Sequence, residues 1–134
     1  MIPKIIHYCW LGDSEFPELV KKCIQSWKKK MPDWEFILWD KNCLKDLNSD
    51  WVNEAYSTKK YAFAADYIRL YAVNKFGGFY LDSDVEVLKN FAPLLDSPYI
   101  FALENEIGDI EAATFGSEPN NPYVQKCLSY YEGR

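Results

Sequence analysis

A chain of 134 residues with 49% apolar and 17% aromatic side chains suits one domain with a modest core, and most of its 5 Trp, 10 Tyr and 8 Phe must be buried because so small a surface cannot expose them all. The net charge of -5 argues against a nucleic-acid binder, which needs a basic footprint. Four scattered cysteines, at 9, 23, 43 and 127, make no Cys-x-x-Cys pair and stand beside a single histidine, which argues against a zinc site and for free thiols in a reducing cytosol.

The opening Met1-Ile2-Pro3-Lys4 has no signal-peptide pattern. Lys4 to Leu11 reads as a buried strand, because a nearly continuous apolar run suits a parallel strand covered on both faces. Gly12-Asp13 breaks it. Pro17 to Lys30 reads as a helix whose Leu19, Val20, Cys23, Ile24 and Trp27 form one stripe, with Lys28-Lys29-Lys30 at the negative end of its dipole. Trp34 to Asp40 is a second strand, so strand, helix and strand make a βαβ unit and imply a parallel sheet. A short helix from Asp50 to Tyr56, capped by Asp50, precedes a longer one from Lys59 to Phe76 with apolar positions Phe63, Tyr67, Leu70, Tyr71, Val73 and Phe76. Gly77-Gly78 ends that helix. Phe79-Tyr80-Leu81 is a strand, Val85 to Leu88 continues extended, Tyr99 to Leu103 and Ala112 to Phe115 are further strands, and Asn121 to Tyr131 is the last helix. No apolar run approaches membrane-spanning length. One α/β domain over residues 1–134, soluble and cytoplasmic, is expected, with peripheral membrane contact left open.

The chemistry gathers around Asp82-Ser83-Asp84, directly after an apolar strand. Burying two unpaired carboxylates is costly, whereas the carboxyl end of a strand in an open α/β sheet is where such folds bind ligands. In extended chain, alternate side chains share a face, so Asp82 and Asp84 can converge on one cation. Carboxylate oxygens suit Mg²⁺ or Mn²⁺, ions that bridge substrate phosphates. The same pair alone also reads as a turn in which Asp caps local amides. Upstream, Asp66 and Arg69 stand three apart on the long helix and share a face, either as a surface ion pair or as an Asp that accepts sugar hydroxyl hydrogens beside an Arg that steadies anionic oxygens.

The runs Ala65-Asp66-Tyr67-Ile68-Arg69-Leu70 and Gly77-Gly78-Phe79-Tyr80-Leu81-Asp82-Ser83-Asp84 resemble the signature of glycosyltransferase family 32, which includes capsular-polysaccharide sugar transferases and is related to the glucosylating clostridial toxins. Pro3 to Trp10 and Trp34 to Asp40 are similar to that family's first two strands. The resemblance implies a GT-A fold, a Rossmann-like, mostly parallel sheet flanked by helices, and retaining transfer from a nucleotide-sugar, usually a UDP-sugar, to a glycan or lipid-linked acceptor in surface polysaccharide synthesis. It implies that Trp10 stacks on the donor base, that Asp66 and Arg69 contact the donor sugar, that Asp82 lies near ribose and sugar, and that Asp84 binds the metal, so Asp82, Asp84 and Arg69 are the candidate catalytic residues. Many relatives carry Ser where this chain has Ala65, and Asn-Ala where it reads Glu111-Ala112-Ala113. Family catalytic domains are longer than 134 residues, which leaves a reduced member and a fragment as alternatives.

Beside the resemblance, His7 among apolar neighbours reads as a satisfied core group, Tyr61 and Tyr80 as packing residues with Tyr61 also able to line the donor pocket, and Glu104, Asn105 and Glu106 as a loop near the sheet's ligand edge. Three readings stay in play: an active transferase, a nucleotide-sugar or metal-binding module without catalysis, and a structural α/β domain whose Asp-x-Asp shapes a turn.

Overall fold

The computed structural model describes residues 1–103 and 110–133; Glu104, Asn105 and Glu106 lie outside the described residues. Five strands form one sheet in the order β2-β1-β3-β5-β4: β1 is Ile5–Cys9, β2 Glu35–Trp39, β3 Gly78–Leu81, β4 Tyr99–Leu103 and β5 Ile110–Ser117. The helices are α1 (Glu18–Lys30), α2 (Leu44–Leu47), α3 (Asp50–Ser57), α4 (Tyr61–Phe76) and α5 (Pro122–Ser129). The sheet is mixed. β1 pairs parallel with β2 and with β3, as the βαβ reading requires, whereas β5 runs antiparallel to both β3 and β4. The parallel expectation therefore holds for one half of the sheet. In the other half β5 runs opposite to its neighbours, and antiparallel neighbours need no crossover helix.

β1 shows why a continuous apolar run was written there. Ile6 and Tyr8 point to a core shared with Val20, Ile24 and Trp27 of α1 and with Phe79 and Leu81 of β3, while Cys9 packs on the opposite face beside Trp39, Val52, Ala64 and Ile68. Leu19 of the expected α1 stripe is 61% exposed, so the buried stripe is Val20, Cys23, Ile24 and Trp27. In α4 the correction is larger. Phe63 and Phe76 are exposed, and the face that meets the sheet is Ala64, Ile68, Ala72 and Val73. Small side chains let the helix axis approach the strands closely, which bulky rings would prevent. α3 is capped by Ser49, whose hydroxyl accepts from the Val52 amide at 3.2 Å, and not by Asp50.

His7 is fully buried and satisfied on both ring nitrogens: Trp39 Nε1–H donates to Nδ1 at 3.1 Å, and Nε2 lies 2.8 Å from the Gly77 carbonyl. Since Nδ1 accepts, Nε2 carries the hydrogen, and a second proton would meet the indole donor. Burial pushes the His7 pKa from 6.5 down to about 4, and the hydrogen bond to Gly77 only partly opposes this. Below pH 6.5 the unfolded chain takes a proton that the folded chain refuses until about pH 4, so stability falls on acidification across that window. The slope is about 1.4 kcal/mol per pH unit, roughly 3 kcal/mol in all. Urea melts at several pH values, compared with those of His7→Gln, isolate this contribution because the carboxylates titrate alike in both proteins. Parallel pH profiles for the two proteins would contradict it.

Candidate functional site

A cavity of about 540 Å³ opens at the carboxyl ends of β1 and β3, where the chain leaves the sheet at Trp10 and Asp82. Trp10, Gly12, Tyr61, Arg69, Asp82 and Asp84 are among its lining. Trp10 is half-buried, held edge-on against Phe16 at 5.3 Å, and its Nε1–H donates to the Ser14 carbonyl at 3.0 Å. Tyr61 is half-buried and packs on Tyr56 with ring centres 5.7 Å apart.

Asp82 and Asp84 share this cavity, but not by strand alternation. Ser83 and Asp84 form a turn, closed by the Val85 amide donating to the Asp82 carbonyl at 3.0 Å. The alternation instead relates Tyr80 to Asp82: the Tyr80 hydroxyl donates to Asp82 Oδ1 at 2.9 Å. Three further contacts fix the turn. The Asp82 amide donates to the Ala113 carbonyl at 2.8 Å, Trp27 Nε1–H to the Val85 carbonyl at 2.7 Å and the Val87 amide to Ser26 Oγ at 2.9 Å, so the first ties it to β5 and the others tie it to α1.

Arg69 is 9% exposed and clamps the region together. Its Nη1 donates to the Ala112 carbonyl at 2.7 Å, its Nε to the Ala65 carbonyl at 3.2 Å, and its guanidinium lies 4.8 Å above the Tyr80 ring centre. Nη2 faces Asp66 Oδ1 at 3.4 Å and Asp82 Oδ1 at 3.6 Å. The guanidinium thus links the two carboxylates and holds most of its donors on the protein. Burial lifts the Asp66 carboxyl above its ordinary range, and Arg69 offsets only part of that. The three acids do not all line one cleft: Asp66 lines a second cavity of about 550 Å³, and Arg69 walls both.

Among the described residues no cluster of three or more His, Cys, Asp or Glu forms a metal cage. Asp82 and Asp84 still suit Mg²⁺ or Mn²⁺, because such an ion takes one or two carboxylates and completes its shell with substrate phosphates and water. All four cysteines are free, with burial pushing the thiol of Cys9 up to about 12.

The profile described as the glycosyltransferase sugar-binding region containing a DXD motif matches residues 17–101. The chain belongs to this family. A mannosyl phosphorylinositol ceramide synthase of Saccharomyces cerevisiae is 30% identical over 96% of this chain and 34% of its own length. Inositol phosphoceramide mannosyltransferase 2 of Schizosaccharomyces pombe is 31% identical over 98% of this chain and 39% of its own, and an uncharacterized glycosyltransferase of Acanthamoeba polyphaga mimivirus is 31% identical over 91% and 52%. This chain therefore spans about a third to a half of these relatives. The PaToxG glycosyltransferase structure superposes with a TM-score of 0.70 at 22% identity, covering 99% of this chain and 62% of that one, which establishes the likeness of fold.

Seen in this family's chain, the DXD turn has supports that the sequence reading missed. Tyr80 packs in the core as expected, 2% exposed, and its hydroxyl also orients Asp82; its position two residues before an aspartate in a strand is the available signal for that second role. Ser26 and Trp27 hold the far side of the turn across 61 and 58 residues of sequence, and no local pattern announces a contact at that separation.

Proposed function

We propose that this chain is the donor-binding part of a divalent-metal-dependent, retaining glycosyltransferase that moves a sugar from a nucleotide-sugar to a glycan or lipid-linked acceptor. The observation that carries this reading is the carboxylate pair Asp82 and Asp84 on one turn at the mouth of a cavity between β1 and β3, in a chain of the DXD family. In it, Trp10 offers a flat face to the donor base, and Tyr80 and Arg69 hold the Asp82 carboxylate in one orientation. A divalent ion on Asp84 and Asp82 would supply Lewis-acid neutralisation of the charge that grows on the departing diphosphate.

The names of the fungal relatives, which act on inositol phosphoceramide, favour a lipid acceptor over a capsular glycan. The four free thiols support a reducing, cytoplasmic setting for this reading. Titrating UDP- and GDP-sugars with and without Mn²⁺, and following donor hydrolysis, tests the reading. Metal-dependent binding with hydrolysis is expected. Binding without turnover would leave a donor-binding module, and no binding would leave an α/β domain whose aspartates only shape a turn.

A further inference from the structure

We infer that the second cavity, between α4, β5 and α5, seats the acceptor, and that this acceptor is an amphiphile with its hydroxyl-bearing head at Asp66 and Arg69 and its hydrocarbon tail in the groove. The inference rests on the proposed donor site. Arg69 walls both cavities, so a sugar held against it in the donor cleft has the second cavity as its neighbour. Transfer needs that adjacency: the acceptor oxygen bonds to the anomeric carbon as that carbon's bond to the diphosphate oxygen breaks, the diphosphate leaves with the electron pair, and the hydroxyl proton passes to it.

The lining identifies the chemistry. Leu70, Phe101, Phe115 and Val124 form apolar walls, and the ionic groups are Asp66 and Arg69 at the junction with the donor cleft, and Lys126. A free sugar would need several convergent amides and hydroxyls, whereas Leu70, Phe101, Phe115 and Val124 offer neither and the tyrosines of the lining add mostly ring surface. The cavity of about 550 Å³ has room for a medium-length chain. On α5, Tyr123 and Tyr130 are 61% and 58% exposed, and Tyr99 of β4, 42% exposed, stands edge-on to Tyr123 at 5.7 Å. Exposed rings with polar tips suit the boundary between an apolar tail and water.

Cys127 lines the groove and is exposed, whereas burial raises the thiols of Cys9 and Cys43 to about 12 and 11 and also raises Cys23. Alkylation by iodoacetamide at neutral pH, read by mass spectrometry, therefore reports on Cys127. Alkyl glucosides below their micelle concentrations should slow it and glucose should not, with affinity rising about two- to fourfold per methylene from hexyl to octyl. In transfer assays the KM for these glucosides should fall with chain length, and Cys127→Trp, which fills the groove, should abolish that dependence. Equal protection by glucose and octyl glucoside would overturn the inference, as would a chain-length dependence that survives in Cys127→Trp. Absence of protection by any glucoside would also overturn it and assign the face to a protein partner. A protein that consumes no donor sinks the donor-site reading, while the Cys127 footprint, which needs no turnover, still decides the groove.

Discussion

Asp84→Asn should lower kcat for donor hydrolysis about 100- to 1,000-fold and leave the melting temperature within about 2 °C of the parent. The asymmetry follows from where the carboxylate sits. Asp84 is exposed on the turn and lines the donor cavity. The substitution keeps size and polarity and removes the charge that would hold a cation against a leaving diphosphate. Mn²⁺ affinity, read by isothermal titration in the presence of a nucleoside diphosphate, should weaken in step with kcat. Asp82→Asn should behave differently. Its Oδ1 accepts from Tyr80 and faces Arg69, so the change costs about 1–3 kcal/mol of stability as well as activity. An Asp84→Asn protein with unchanged kcat and unchanged Mn²⁺ affinity would remove the metal from the proposal and leave the turn as a structural element.

How much of this was legible in the sequence depends on the range of the interactions involved. β1, α1, β2 and β3 were readable because each carries its own period: a continuous apolar run for a strand covered on both faces, a 3.6-residue stripe for α1, and paired glycines at the end of α4. The Asp66–Arg69 pair was readable because three residues bring two side chains together on any helix. The contact face of α4 was not, since its alanines carry almost no hydrophobic signal next to Phe63 and Phe76, which stay 52% and 40% exposed. The direction of β5 was not, because an apolar strand reads the same parallel or antiparallel, and only its pairing with the distant β3 fixes the answer. The seat of Asp66 was also hidden. Helical spacing puts it on Arg69's face, but only the packing of α5 against α4 creates the second cavity that it lines.

Gly78→Ala should destabilise the chain by about 4 kcal/mol and lower its melting temperature by roughly 10–20 °C. Two costs combine. Gly78 has φ +101°, a backbone conformation that L side chains rarely adopt. A Cβ placed there would also stand 2.6 Å from the Ile5 carbonyl oxygen and 2.8 Å from Ile5 Cβ, atoms of β1 that cannot swing aside as a flexible side chain could. Relief requires β1 and β3 to move apart at the start of their parallel pairing, where Ile6 meets Phe79 and His7 meets Tyr80. That movement reaches the site along both strands: β1 leads to Trp10, and β3 carries Tyr80 and Asp82. Surviving folded Gly78→Ala protein should therefore also bind the donor more weakly, although the residue lies at the opposite end of β3 from the carboxylates. Gly12→Ala is the matched control. Its added Cβ would meet Tyr61 at 3.4 Å, an ordinary contact, and should change stability by less than about 0.5 kcal/mol. Thermal melts of both variants decide the matter, and a Gly78→Ala protein as stable as Gly12→Ala would show that β1 and β3 are not held as closely as the fold requires.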